Sequence, residues 1–285
     1  MIKILLTGAN GQLGRCVQDA AASMTEVELI CASREQLDIT NTESISYWFE
    51  KYSITHCINA AAYTNVEQAE SDKEQAFLIN SKGAQLMAET CKANNAILLH
   101  ISTDYVFDGT KTEPYLEEDE VNPINVYGAS KLAGELEIQR IWEKHFIVRT
   151  SWLYSQYGHN FYRSMQRMGR EGRELSITIE QTGTPTNAND LGDALLAFIR
   201  TNNTSYGLYH FSNEGTATWY DFAKAIFKYT DDLDLMKVKK TDEYRTFAAR
   251  PAFSVMDLTK IKTQLSGPFY KPWETSLQEL IIKTN

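Results

Sequence analysis

The chain has 285 residues, 43% of them apolar and 23% charged, which excludes a disordered tract and suits one large domain or two smaller ones around a cleft. Lys and Arg number 28 against 37 Asp and Glu, and the net charge of −9 argues against a nucleic-acid partner while leaving room for a small anionic ligand. No apolar run approaches the roughly 18 residues that cross a bilayer, the first six residues are too short for a secretory signal, and four scattered cysteines without a CxxC pair exclude a disulfide framework or zinc knuckle, so a cytoplasmic location is expected.

In chain order, residues 2–7 form an apolar run that reads as a strand, followed by a glycine cluster and a helix over 13–24. A second strand is expected at 27–32, a helix at 42–52 and a third strand at 55–59. A mainly helical stretch at 69–94 leads to a fourth strand at 96–102 that alternates little, as a strand covered on both faces should. A long helix at 126–144 and a fifth strand at 146–150 complete the regular part. Strands alternating with helices predict an α/β fold, a Rossmann-type doubly wound parallel sheet. Beyond residue 150 the pattern weakens. Helices are expected at 160–171, 189–200, 219–229, 257–265 and 273–282, and a strand at 207–212. Residues 1–150 are therefore read as a dinucleotide-binding domain to which 187–212 return. Residues 151–186 and 213–285 are read as a smaller substrate lobe.

The first strand ends in Thr7-Gly8-Ala9-Asn10-Gly11-Gln12-Leu13-Gly14. Glycines at this GxxGxxG spacing between strand and helix serve a tight turn, a close approach of diphosphate to backbone, and close helix packing. The helix start offers free N–H groups to an anion. At the end of the second strand, Arg34 with Ser33 favours the extra phosphate of NADP over NAD, Glu35 weighs against it, and a solvated Arg34 is the plain alternative. Asp38 is a candidate acceptor for an adenine amino group; alternatively Asp38 or Thr40 caps the next helix. Ala60, Ala61 and Ala62 leave space for a flat ligand or for close helix packing.

Tyr127 and Lys131 stand four residues apart on a helix, where a lysine ammonium lowers the pKa of a phenol so that it can exchange a proton near neutral pH. The spacing alone is weak, since Tyr47/Lys51 and Tyr220/Lys224 share it and read as helix-surface pairs. A hydroxyl at the end of the fourth strand, in Ser102-Thr103-Asp104-Tyr105, completes a three-part group. The ring of Trp152 is either a sugar platform or a core aromatic at the lobe junction. Trp219, Tyr220 and Phe222 read as a helix's core face, the five histidines as structural or surface residues, and the acidic run 117–120 as a solvated loop.

The glycine loop, the Ser-Thr-Asp strand end and the Tyr-x-x-x-Lys helix resemble the extended short-chain dehydrogenase/reductase superfamily. The longer runs 5–14, 59–70, 102–109, 126–131, 149–154, 181–186, 218–223, 250–257 and 272–277 resemble, within it, the dTDP-4-dehydrorhamnose reductase family. The resemblance implies that Thr103, Tyr127 and Lys131 are catalytic. It puts the dinucleotide on Gly11, Gln12, Leu13, Asp38, Ile39 and Ala60 to Thr64, including Tyr63, and the nucleotide sugar near Thr103, Asp104, Tyr105 and Trp152. Asn80 resembles the asparagine that shapes the active-site helix. The implied reaction is NADPH-dependent reduction of a C4 ketone, with NADH also accepted. Some relatives dimerise through magnesium held by a glutamate two residues after the third loop glycine. That position is Cys16 here, so no metal site is assigned, Mg2+ is left to accompany a substrate diphosphate, and a monomer or weak homodimer is expected. The alternatives are another reductase, an epimerase or a dehydratase on the same scaffold, or a non-catalytic NADP-binding regulatory subunit of the methionine adenosyltransferase partner type.

Overall fold

In a computed structural model of the chain, which describes residues 1–230, 232, 234–242 and 245–284, the apolar runs become a six-stranded parallel sheet. Its strands are β1 (Ile2–Thr7), β2 (Val27–Ala32), β3 (His56–Asn59), β4 (Ile97–Thr103), β5 (His145–Thr150) and β6 (Gly207–His210). The order across the sheet is β6-β5-β4-β3-β1-β2. All six residues of β5 are buried, as a strand covered on both faces must be. The order reverses between β1 and β3, which opens a crevice beyond their carboxyl ends where ligands of such sheets bind.

Helices cover both faces. On one, helix Gln12–Ala21 packs on helix Ala188–Arg200, and Leu13, Cys16, Val17, Leu191 and Leu195 fill the space between them and the sheet. On the other, helices Thr42–Tyr52, Gly83–Ala93 and Val126–Ile141 bury Phe49, Met87, Cys91 and Ile138 against Leu5, Leu98 and Ile147. Strand β6 pairs with β5, and the helix before it covers the sheet, so this part of the later chain packs with the first 150 residues. Not all of the remaining residues belong to a separate lobe: Leu258, Ile261, Leu265 and Phe269 join the core around β1 and helix Gln12–Ala21, and Met256 packs on Val106, Phe107 and Tyr115. In the second lobe, helices Phe161–Arg170, Trp219–Thr230 and Trp273–Thr284 pack around Tyr154, Tyr162, Phe222, Phe227 and Trp273.

Some elements differ from the sequence pattern. The helical stretch at 69–94 is broken into helix Lys73–Phe77, a π-helical turn Leu78–Lys82 and helix Gly83–Ala93. The long helix stops at Ile141, where Trp142 turns extended and its indole donates to Ala96 O at 2.8 Å. The helix expected at 257–265 shortens to Thr259–Gln264. Among the described residues, three small two-stranded pairings, such as Leu153–Tyr154 on Thr186–Asn187, use segments of two to four residues, too short to leave a periodicity. Among the described residues no helix is long and apolar enough to cross a membrane.

Candidate active site

A cleft of about 910 Å³ runs from the glycine loop, across the carboxyl ends of the strands, to the second lobe. Its volume sits at the upper end of the roughly 300–1,000 Å³ typical of small-molecule sites. The glycine loop forms one end. Gly8 has φ of +64°, and a Cβ there would lie 2.8 Å from the Ala60 carbonyl and the Ala61 nitrogen. A Cβ on Gly14 would lie 2.4 Å from Gly8 O. Both positions are closed to any side chain. Gly11 precedes the first helical turn without a side-chain cap, so its orphan N–H groups face the cleft end. This geometry fits a dinucleotide diphosphate.

Asn10, Gly11, Gln12, Leu13, Arg34, Asp38, Ile39, Ala60, Ala61, Ala62 and Thr64 all line the cleft. Gly14 lies behind the loop. Ser33 and Tyr63 are not on the wall. The Ser33 hydroxyl donates to Glu35 at 2.7 Å, and the Tyr63 N–H donates to Asn80 Oδ1 at 2.8 Å. Asp38 accepts the Thr40 N–H and hydroxyl at 2.9 and 2.7 Å, which holds its carboxyl below the usual range. Neither Asp38 nor Thr40 caps the next helix; Asn41 does, accepting from Ser44 N.

Thr103, Asp104, Tyr105, Tyr127 and Lys131 meet on the cleft floor. Thr103 Oγ1 accepts from Tyr105 N at 3.1 Å, donates to Asp104 at 3.0 Å and lies beside the Tyr127 phenol. Burial pushes the phenol up to about 12, with the Asp104 charge acting in the same direction and the Thr103 contact against it. Burial also raises the Asp104 carboxyl to about 6. Asn125 caps the Tyr127 helix through Gly128 N, and Asn80 braces it by donating to Ser130 Oγ at 2.9 Å from the π-helical turn. The hydroxyls of Ser102 and Thr150, both on the cleft wall, have no hydrogen-bond partner among the described residues.

Lys131 departs from the expectation drawn from its spacing. It is 2% exposed, and its Nζ donates to Ile101 O at 2.6 Å and touches His100 Nε2 at 3.3 Å. Desolvation lowers it to about 8, against the attraction of Glu135. The phenol is thus raised rather than lowered, and it is held as a neutral acid. The competing pairs are surface contacts, with Lys51 5.2 Å from the Tyr47 ring centroid and Lys224 5.6 Å from that of Tyr220.

Other residues reach the site through the second lobe. Trp152 has φ of +44°, and its ring stacks on Trp219 at 3.7 Å and 6°. A Cβ on Gly183 would lie 2.7 Å above Trp152 Cε2, nearer than to the flanking ring atoms, so the backbone of Gly183 covers the opposite face. Both faces are occupied, so of the two readings of Trp152 the free sugar platform is not what forms; the ring packs at the junction and leaves an edge on the cleft wall. Trp219, expected in a helix core, lines the cleft beside Phe161. Asn160 caps the Phe161–Arg170 helix and donates to Gln12 Oε1 at 2.6 Å, joining the lobe to the glycine loop. Arg250 also lines the cleft, bonded to Glu67 at 2.7 Å. Glu67 further accepts the N–H groups of Phe247 and Ala248, so one carboxylate straps this segment across the first half. The acidic run is not wholly solvated: Glu117 is buried and accepts His210 N at 3.0 Å. The Cys16 thiol is buried and pushed up to about 12 by desolvation, so it offers no thiolate to a metal. Among the described residues no group of three or more metal-binding side chains occurs.

The profile of the RmlD substrate binding domain family matches residues 2–285. The chain is 38% identical over 290 residues to a dTDP-4-dehydrorhamnose reductase of Aggregatibacter actinomycetemcomitans, covering 98% of each chain. The crystal structure of the Bacillus anthracis dTDP-4-dehydrorhamnose reductase in complex with NADP superposes with a TM-score of 0.93 at 38% identity, covering 100% of both chains. The Clostridium acetobutylicum dTDP-4-dehydrorhamnose reductase superposes with a TM-score of 0.92 at 38% identity and 99% coverage of both.

Proposed function

This chain belongs to the RmlD substrate binding domain family, and from that premise we propose that it reduces the C4 ketone of dTDP-4-dehydro-β-L-rhamnose to dTDP-β-L-rhamnose, the last step of dTDP-L-rhamnose biosynthesis, with NADPH and less readily NADH. The observation that carries this reading is the neutral Tyr127 phenol beside the Thr103 hydroxyl on the floor of a cleft that begins at an anion-binding glycine loop.

The cofactor, when bound, supplies the hydride. Gly8, Gly11 and the first turn of helix Gln12–Ala21 hold its diphosphate, and Ala60 to Ala62 leave room for the rest along the wall. Thr103 and Asp104 orient the sugar ketone. Negative charge grows on the carbonyl oxygen, and Thr103 donates a hydrogen bond to it while Tyr127 transfers its proton. A preorganised donor of this kind contributes about 2.7–4 kcal/mol at comparable oxyanion sites. The Lys131 ammonium stabilises the phenolate left behind. Trp152 presents its edge to the sugar, backed by Trp219. The enzyme acts in the cytoplasm on a nucleotide sugar, without nucleic acid or membrane, as a monomer or weak homodimer.

The test is absorbance at the nicotinamide band with the purified chain and the dTDP-keto sugar. Stoichiometric, ketone-dependent oxidation of NADPH is expected. A cofactor retained through turnover would reassign the chain to an epimerase or dehydratase, and no oxidation at all would leave a regulatory subunit. Arg34→Gln should raise the NADPH KM about 10–100-fold, the range for a lost hydrogen bond to a charged group, and leave the NADH KM unchanged. Equal effects on both cofactors would remove Arg34 from phosphate recognition.

A further inference from the structure

A buried polar chain runs behind the catalytic lysine and plays no part in the mechanism above. Thr7 Oγ1 donates to Asn59 Oδ1 at 2.7 Å, Asn59 Nδ2 lies 3.1 Å from His100 Nδ1, and His100 Nε2 lies 3.3 Å from Lys131 Nζ. Each of these side chains is at most 2% exposed. We infer that His100 is a positioning residue for Lys131, accommodating it as either amine or ammonium by changing which ring nitrogen carries the imidazole proton.

The hydrogen-bond bookkeeping leads there directly. A neutral imidazole has one N–H and one acceptor nitrogen. With Asn59 donating to Nδ1, the proton sits on Nε2 and points at Lys131 Nζ, which must then accept it and therefore be an amine. When Lys131 is an ammonium, Nε2 must accept and the proton moves to Nδ1. Asn59 then turns over, presenting Oδ1 to His100 and its amide nitrogen to Thr7. In both states Nζ still donates to Ile101 O and keeps one N–H for the cleft. The imidazolium is excluded, because burial and Lys131 together hold His100 well below its ordinary pKa.

The charged and titratable groups around the pair are few. Glu135 lies one turn along the Lys131 helix and is ion-paired with Arg149 of β5 at 2.7 Å. Tyr127 is one turn back on the same helix, Asp104 follows β4, and His145 of β5 acts on His100. Lys131 itself is lowered to about 8, so both of its forms are accessible within the working range. Because the ammonium is the form that receives the phenolate, and this step rests on the proposed reductase reading, turnover falls as pH rises through the lysine's pKa.

The decisive measurement is the nitrogen NMR spectrum of the ligand-free full chain labelled at histidine, followed from pH 6 to 10. The His100 proton should sit on Nδ1 at low pH and on Nε2 at high pH, with a midpoint near the Lys131 value of about 8. Lys131→Met should abolish the transition. Asn59→Asp, whose carboxylate only accepts, should hold the proton on Nδ1 throughout and move the alkaline limb of the rate profile up by at least one pH unit. A single His100 tautomer across the range in the parent, or a transition that persists in Lys131→Met, overturns the inference. The spectrum needs no substrate, so failure of this switch and failure of the reductase assignment are read separately.

Discussion

Replacing Tyr127 with Phe lowers turnover by about 10²–10⁴, the range of general acid–base catalysis, and leaves NADPH affinity unchanged. In the proposed mechanism the phenol is the acid that meets the developing alkoxide. Its surroundings, burial first and the Asp104 charge second, keep it protonated at neutral pH until a stronger base appears beside it. The ring has a second role that phenylalanine preserves, an edge contact with Tyr105 at 5.7 Å between centroids. The substitution therefore removes one hydroxyl and no packing. Steady-state rates set beside a fluorescence titration of the cofactor separate the two effects. A Phe variant as fast as its parent would take Tyr127 out of the mechanism, and one that loses cofactor affinity in proportion to rate would make it a binding residue.

The second large effect concerns stability. Arg149 meets Glu135 with Nε and Nη2 at 3.0 and 2.7 Å, and the two side chains are 3% and 1% exposed. Arg149 also lies 5.1 Å above the Phe107 ring. Arg149→Leu strips the buried Glu135 carboxylate of its ion-pair partner and leaves it only the attraction of Lys131, a loss of about 3–5 kcal/mol and a melting temperature lower by roughly 5–8 °C for a chain of this size. Replacing both partners with leucine should recover most of the loss, because burying the pair cost nearly as much as its attraction returned. Calorimetry decides: an Arg149→Leu protein that melts with its parent would mean water reaches Glu135.

Much of the site was legible because its requirements are local. The glycine loop needs three residues without Cβ at fixed spacing, and the clashes that side chains at Gly8 and Gly14 would meet show why. Tyr127 and Lys131 share a helix face by their spacing, and the Ser-Thr-Asp segment falls at the carboxyl end of β4, which any parallel sheet turns toward its ligand. What sequence could not supply depends on how distant segments dock. Asn160 reaches Gln12 across 148 positions, and Arg250 reaches Glu67 across 183. Trp219 looked like a core residue because its neighbour Phe222 is one; only the left-handed backbone at Trp152 brings the two indoles together. The π-helical turn at Leu78–Lys82 was hidden because a wider turn keeps the helical alternation nearly intact, yet it is this turn that presents Asn80 to both Tyr63 and Ser130. His100 read as a structural or surface residue because its contact with Lys131 comes from another element.

The edge strand β6 has a consequence for how the chain reaches its native state. A fragment cut after Thr150 would carry the glycine loop and the catalytic pair, yet it would bare the backbone of β5 and the apolar face of helix Gln12–Ala21, an invitation to self-association. On the ribosome, the nascent first half waits through about 60 further residues before β6 arrives, several seconds at 5–20 residues per second. The segment made in that interval includes Trp152, Asn160 and Phe161, so part of the far wall of the cleft is already synthesised when the sheet is sealed, while Trp219 and Arg250 follow.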